Sequence, residues 1–274
     1  MAGIRYAAYA AADTGSRSTG SVGGAPDRYT SMSRAVARRS AAAWAAAEAL
    51  DGLEGLESVE VVDGSEAALA TGRRVAAHGP APLASARWTR ALVRPGLGLT
   101  RADLVTVAYL LGELEPALQE AAVDGASAAA GRVLVVEPGT PRGFAAVLTA
   151  RDRLVAAGGH VLAPCPQEGP CPVAARPGDW CHFSARLDRT ALHRRLKGGV
   201  RGHEDEKLSF VLAVREPATS APGRVLRHPQ VRKGLVRLEV CRPDGTAGPQ
   251  VVTKRDREAY RAARDTRWGD PWRS

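Results

Sequence analysis

The chain has 274 residues, with 38 Lys plus Arg against 29 Asp plus Glu for a net charge of +9, 45% hydrophobic and 24% charged side chains. This composition excludes a wholly disordered chain and allows one large or two small domains. No stretch reaches the roughly 18 to 20 apolar residues of a membrane span, and the leading MAGIRYAAYAAADTG lacks a continuous apolar signal core, so a soluble cytoplasmic protein without a membrane partner is expected.

In chain order, the first 40 residues are rich in Gly, Ser, Ala and Arg, show no sustained strand or helix period, and predict an irregular or disordered leader. AAAWAAAEAL (41–50) then predicts a helix, and SVEVVD (58–63) a short buried strand ending in Asp63. Ser65 can cap a helix running through Arg73 to Ala77. RWTRALV (87–93) and ADLVTVAYLL (102–111) read as strands, and Glu115 to Ala130 as a helix. RVLVVEPGT (132–140) has the apolar run of a parallel strand buried on both faces. A helix from Pro141 to Ala157, ended by Gly158-Gly159, leads to the strand HVLAP (160–164).

Strands alternating with helices predict an α/β fold with a doubly wound parallel sheet over residues 41–163. The texture changes after that. LSFVLAV (208–214) reads as a strand, RVLRHPQVRKGLVRLEVC (224–241) as a β-hairpin or small β-unit, and Arg255 to Arg264 as a last helix. Residues 164–274 are therefore expected to form a cysteine-rich, basic, β-containing C-terminal module.

Ligands of doubly wound sheets bind outside the carboxyl ends of the strands, which directs attention to Asp63, to Leu111-Gly112-Glu113 and to Glu137-Pro138-Gly139-Thr140. Asp63 stands where an acidic side chain accepts hydrogen bonds from a ribose diol, and an ordinary loop carboxylate is the competing reading. The charge divides in the same place. Residues 1–150 hold 14 basic and 15 acidic side chains for −1, whereas 151–274 hold 24 and 14 for +10. Such asymmetry points to an anionic partner for the C-terminal part, nucleic acid first, with a merely solubilising surface as the alternative. LHRRLKG contributes His193, Arg194, Arg195 and Lys197, and VRKG contributes Arg232 and Lys233, as candidate phosphate contacts. Glu204-Asp205-Glu206 reads as a charged loop that pairs with this basic surface.

All four cysteines lie in the basic part, as Cys165, Cys171, Cys181 and Cys241, spaced C-x5-C-x9-C-x59-C. Prolines bracket the first two, stiffening the backbone and lowering the entropy lost when both thiolates are fixed around one centre. Trp180 and Phe183 supply apolar cover, and His182 suits a supporting polar role better than ligation. Four thiolates hold zinc or an iron-sulfur cluster, and the absence of a short C-x2-C knuckle leans toward the cluster; four unrelated buried cysteines are the alternative.

EPGTP (137–141), the cysteine segment with DWCHFS, LHRRLKG followed by EDEK, and VRKG leading to LEVC together resemble the methyltransferase-like assembly factor family of the mitochondrial small ribosomal subunit, which has bacterial members. The resemblance runs from about Ala41 to the C-terminus. It implies a Rossmann-like, S-adenosylmethionine-type domain, a 4Fe-4S site on Cys165, Cys171, Cys181 and Cys241, and association with small-subunit ribosomal RNA. Nothing points specifically to DNA. A cofactor would lie near Asp63, Gly112 and Glu113, so an active rRNA methyltransferase is one alternative and a zinc-stabilised nucleic-acid-binding protein another. The chain departs from the family where a glycine-rich turn should precede the first helix, since that position reads MSRAVARRS. Read one base earlier with suitable synonymous codons, Tyr29 to Arg39 can spell such a turn, so residues 1–40 are a candidate frameshifted leader.

Overall fold

Val, Leu and Ala recur along residues 56–63, 102–108 and 130–138, and each run becomes a strand with its later residues covered on both faces. The computed structural model describes residues 4–10, 45, 56–191, 194–195 and 202–273. Its first sheet comprises β1 (Ile4–Ala10), β2 (Leu56–Asp63), β3 (Arg87–Arg90), β4 (Ala102–Ala108), β5 (Ala130–Pro138), β6 (His160–Ala163), β7 (Phe183–Asp188) and β8 (His203–Val214). The order is β3-β2-β1-β4-β5-β8-β6, with β7 also pairing β8. Neighbours from β3 to β5 are parallel, and β8 runs antiparallel to β5, β6 and β7.

Helices α1 (Glu66–Ala76), α2 (Ala81–Ala84), α3 (Pro116–Ala129) and α4 (Pro141–Ala156) connect these strands, and Ser65 caps α1 as expected by accepting the Ala68 N–H. Val105, Val107, Val133 and Val135 form the centre of the core against Val123 and Ala126 of α3 and Val147, Ala150 and Leu154 of α4. A second, antiparallel sheet holds β9 (Arg224–Val225), β10 (Gln230–Arg232), β11 (Leu235–Cys241) and β12 (Ala247–Thr253). Helix α5 (Arg257–Asp265) packs on it through Ala263, beside Val236, Leu238, Val240 and Trp272. Among the described residues no helix is long and apolar enough to cross a membrane.

The α/β, doubly wound expectation holds, with three corrections. Ile4–Ala10, expected within an irregular leader, lies between β2 and β4, with Ala8 only 2% exposed. Its partners lie far along the chain, so no local pattern marks it; residues 11–40 and, apart from helical Ala45, the helix expected at 41–50 lie outside the described residues. The sheet is mixed and does not end at residue 163. LSFVLAV returns between β5 and β6, placing Val211 and Ala213 in the main core, and the second sheet begins only at β9. Glu204-Asp205-Glu206 are strand residues of β8, where Asp205 pairs with Arg186 at 2.7 Å and Glu204 with Arg189 at 3.0 Å.

The EPGTP motif joins the carboxyl end of β5 to α4. Glu137, 1% exposed, accepts the Leu110 and Leu111 N–H groups at 2.9 and 2.7 Å and so fixes the 3-10 turn Leu111–Glu113 after β4. Tyr109 enters that turn at φ +53°, a conformation bulky residues adopt only when their surroundings enforce it. Gly139 packs so close to Lys207 that a Cβ there would meet its backbone at 2.8 Å. Thr140 caps α4 by accepting the Gly143 N–H at 3.1 Å, with Pro141 at the first helical position. A Cβ on Gly143 would collide with the Pro138 carbonyl oxygen.

Gly143→Ala should therefore cost about 3 kcal/mol of stability by overpacking backbone, read as a lower urea midpoint with an unchanged slope. Burial pushes the Glu137 carboxyl up to about 7 from 4.5, against the opposing backbone hydrogen bonds. A folded pKa above the unfolded one stabilises below the unfolded value, and this contribution is lost as pH rises through the folded value. Between pH 5 and 8 the wild type should lose about 3 kcal/mol relative to Glu137→Gln, which keeps an acceptor but does not titrate. Parallel stability profiles for the two proteins would refute this assignment.

Candidate metal centre

The four cysteines reach one place from different parts of the fold. Cys165 follows β6 and packs on the main core, Cys171 and Cys181 flank a turn-rich loop, and Cys241 is the last residue of β11. Together they line a single pocket floored by Val173, Phe183, Phe210 and Leu226. Among the described residues no three His, Cys, Asp or Glu side chains form a group able to hold a metal ion, although all four cysteines line the one pocket. Burial raises the thiols of Cys165 and Cys181 above the ordinary cysteine value and pushes Cys241 up to about 12. Such thiols are neutral when no cation offsets the loss of solvent.

Two arginines face them. Arg151, on α4, is 2% exposed and lies in hydrogen-bonding reach of the Cys165 sulfur. It donates to the Gln167 and Gly169 carbonyls at 3.0 and 2.8 Å, while its buried Nε finds no hydrogen-bond partner among the described residues. Its carboxylate partner Asp152 is 60% exposed, which leaves a desolvated cation weakly offset. Arg224 donates to Pro164 O at 2.9 Å and Gly269 O at 2.8 Å and lines the same pocket. The pocket thus joins sulfur donors to positive charge, the chemistry of a thiolate-bound metal group, which is a net anion. His182 does not line it. Its Nδ1 meets Trp180 O at 3.1 Å and its ring stacks on Trp180, in keeping with a supporting role.

The residues singled out for a nucleotide cofactor flank β1, where the strand order reverses. Asp63 ends β2 beside Ala10, is 2% exposed, and accepts the Ser65 N–H at 2.7 Å, which closes its own turn. Gly112 and Glu113 lie in the turn after β4; Gly112 abuts the Glu137 carboxylate and Glu113 is exposed. The expected position of the glycine-rich turn lies outside the described residues.

The basic candidates do not share one element. Arg232 and Lys233 are exposed at the β10–β11 turn, and Arg194 and Arg195 are exposed helical residues. His193 and Lys197 lie outside the described residues. Sequence reasoning missed Arg151 and Arg224, whose only signal was their place among many arginines.

The sequence profile of the family described as mitochondrial small ribosomal subunit Rsm22 matches residues 26–273. The Rsm22-cox11 tandem protein 2, mitochondrial, of Schizosaccharomyces pombe is 29% identical over 181 residues, 51% of this chain and 24% of that protein. The human ribosome assembly protein METTL17, mitochondrial, is 32% identical over 188 residues, 61% of this chain and 39% of that protein. The chain thus spans well under half the length of these curated relatives. Among solved structures, the magnesium protoporphyrin IX methyltransferase of Synechocystis PCC 6803 with bound SAH shares 12% identity at a TM-score of 0.41, covering 78% of this chain and 75% of that one. With its profile matched over nearly the whole length, the chain belongs to the Rsm22 family.

Proposed function

We propose that the chain is an assembly factor of the small ribosomal subunit, built on a methyltransferase-like domain, that binds rRNA and holds a 4Fe-4S cluster on Cys165, Cys171, Cys181 and Cys241. The observation that carries this reading is the pocket that gathers all four cysteines beside two arginines, in a chain of the Rsm22 family. The donor set fits the group. Four cysteines line one pocket together with Arg151 and Arg224, and no C-x2-C knuckle is present. Zinc remains the competing metal.

When bound, such a cluster supplies metal-sulfur bonds that cross-link the loop after β6 to the end of β11. The chain's own residues do the rest. Arg151 and Arg224 offset negative charge on the sulfurs, Phe183 and Phe210 exclude water, and Arg232, Lys233, Arg194 and Arg195, with His193 and Lys197, contact rRNA phosphates. S-adenosylmethionine is the second group the fold suggests, but Asp63 is closed in by its own turn and leaves Glu113 as the exposed carboxylate at that edge. No methyl-transfer step follows from these residues. The cytoplasmic location expected from the sequence is part of the proposal, the named relatives being mitochondrial.

Anaerobically purified protein should be brown, with broad absorption near ~400 nm from thiolate-to-iron charge transfer. Cys181→Ser should lose most of its iron and its co-sedimentation with small subunits, and Arg151→Met should lower iron content without unfolding the domain. Colourless protein with stoichiometric zinc would overturn the cluster, and full iron retention by Cys181→Ser would remove that residue from the ligand set.

A further inference from the structure

Beside the cysteine pocket, four rings from three parts of the chain touch in series. Trp180 stacks on His182 with centroids 5.1 Å apart and planes 23° apart; His182 meets Trp268 edge-on at 5.0 Å; His228 meets Trp268 edge-on at 4.9 Å. Only His182 is buried. The tryptophans are half-buried and His228 is exposed, so the ladder reaches the surface at its outer ring. An interior cluster would have enclosed both tryptophans and paired both indole nitrogens. Here Trp180 Nε1 donates to Gly139 O at 3.0 Å, whereas the buried Trp268 Nε1 has no partner among the described residues.

The surroundings are cationic. The Arg227 guanidinium stands 5.9 Å above the Trp268 ring. Lys207, exposed, accepts the Gly139 N–H on its own carbonyl at 2.9 Å, so its side chain leaves the backbone next to the carbonyl that holds Trp180. Arg267, also exposed, precedes Trp268. The carboxylates nearby are already engaged: Asp179 by Arg227 and Arg176, Asp205 by Arg186. The ladder also lies at the carboxyl edge of β5, the side of a doubly wound sheet where ligands bind.

We infer that the Trp180–His182–Trp268–His228 ladder is a stacking site for an unpaired RNA base, with the exposed Lys207 and Arg267 receiving the flanking phosphates. Single-stranded RNA is recognised this way because every base has an open π-face and every linkage a negative charge, whereas bases in a duplex are hidden in the stack. The inference rests on the rRNA reading above and assigns the contact to residues other than Arg232 and Lys233.

The test uses the full-length protein with a 12-nucleotide single-stranded oligouridine, a duplex RNA of the same length, and small ribosomal subunits. Wild type should bind the single strand with quenching of tryptophan fluorescence and prefer it to the duplex. His228→Ala, at an exposed position, and Trp268→Leu, which keeps an apolar side chain, should each weaken single-strand binding about tenfold or more, with little change in duplex binding. His228→Ala keeps the test decisive if Trp268→Leu does not fold. Unaltered single-strand binding by His228→Ala together with any folded Trp268→Leu overturns the inference, as does binding without quenching. If those variants also co-sediment normally with small subunits while Arg232→Glu/Lys233→Glu does not, the ladder fails and the rRNA reading stands. If wild type binds oligouridine through the ladder but ignores small subunits, the rRNA reading fails and the ladder stands.

Discussion

Residues 164–182 join β6 to β7 without a strand ladder, so their backbone carbonyls need donors from elsewhere, and arginine side chains provide many of them. Arg151 of α4 takes the carbonyls of Gln167 and Gly169, Arg224 of β9 takes that of Pro164, and Arg227 takes that of Trp180. In the other direction, Arg176 leaves this segment for Glu239 at 2.8 Å and the Ala247 carbonyl on the second sheet. The segment is thus clasped by both sheets at once, and three of the four cysteines ride on it. Their convergence with Cys241 is a consequence of this clasp, and the aromatic ladder, whose first two rings also lie on it, depends on the same bonds.

The clasp changes the meaning of the basic excess. A surplus of +10 in residues 151–274 reads as a face for RNA, yet many of these cations are already paired within the chain. Arg151, Arg176, Arg224 and Arg227 hold backbone and carboxylates, Arg186 and Arg189 pair with Asp205 and Glu204 across β7 and β8, and Arg215 binds the Ser127 carbonyl. The exposed cations include Arg194 and Arg195, Lys207 and Arg267 beside the aromatic ladder, Arg232 and Lys233 on a hairpin turn, and Arg257, Arg261 and Arg264 along one side of α5. Net charge therefore overstates the cations available to a polyanion and says little about where they are.

What was legible in the sequence was what local pattern determines. The valine-rich runs at 102–108 and 132–138, the Ser65 cap and the Pro141 helix start lie where period, propensity and capping chemistry put them. The position of Glu137-Pro138-Gly139-Thr140 at the carboxyl end of a strand was also legible, because it follows from strand direction alone. Ile4–Ala10 was not legible: its alanines carry no alternation, and its place depends on ladders to residues about 50 and 100 positions away. LSFVLAV was recognised as a strand but given to the wrong sheet, since antiparallel return to β5 is a tertiary choice. Arg151 and Arg224 had no local mark, because their partners lie 14 positions ahead at Cys165 and 60 positions back at Pro164 respectively, and only the fold makes them neighbours.

The insertion of β8 between β5 and β6 also imposes a timetable. During synthesis β6 and β7 emerge before β8, the strand that both must pair with, so neither can join the sheet until β8 has been made. The proline-flanked thiols emerge between β6 and β7, without their fourth companion until β11 is made. Loading of any four-sulfur group is thereby deferred to the end of translation, and a nascent chain halted before that point would present a half-built sheet with reactive sulfur, a form suited to recognition by quality control.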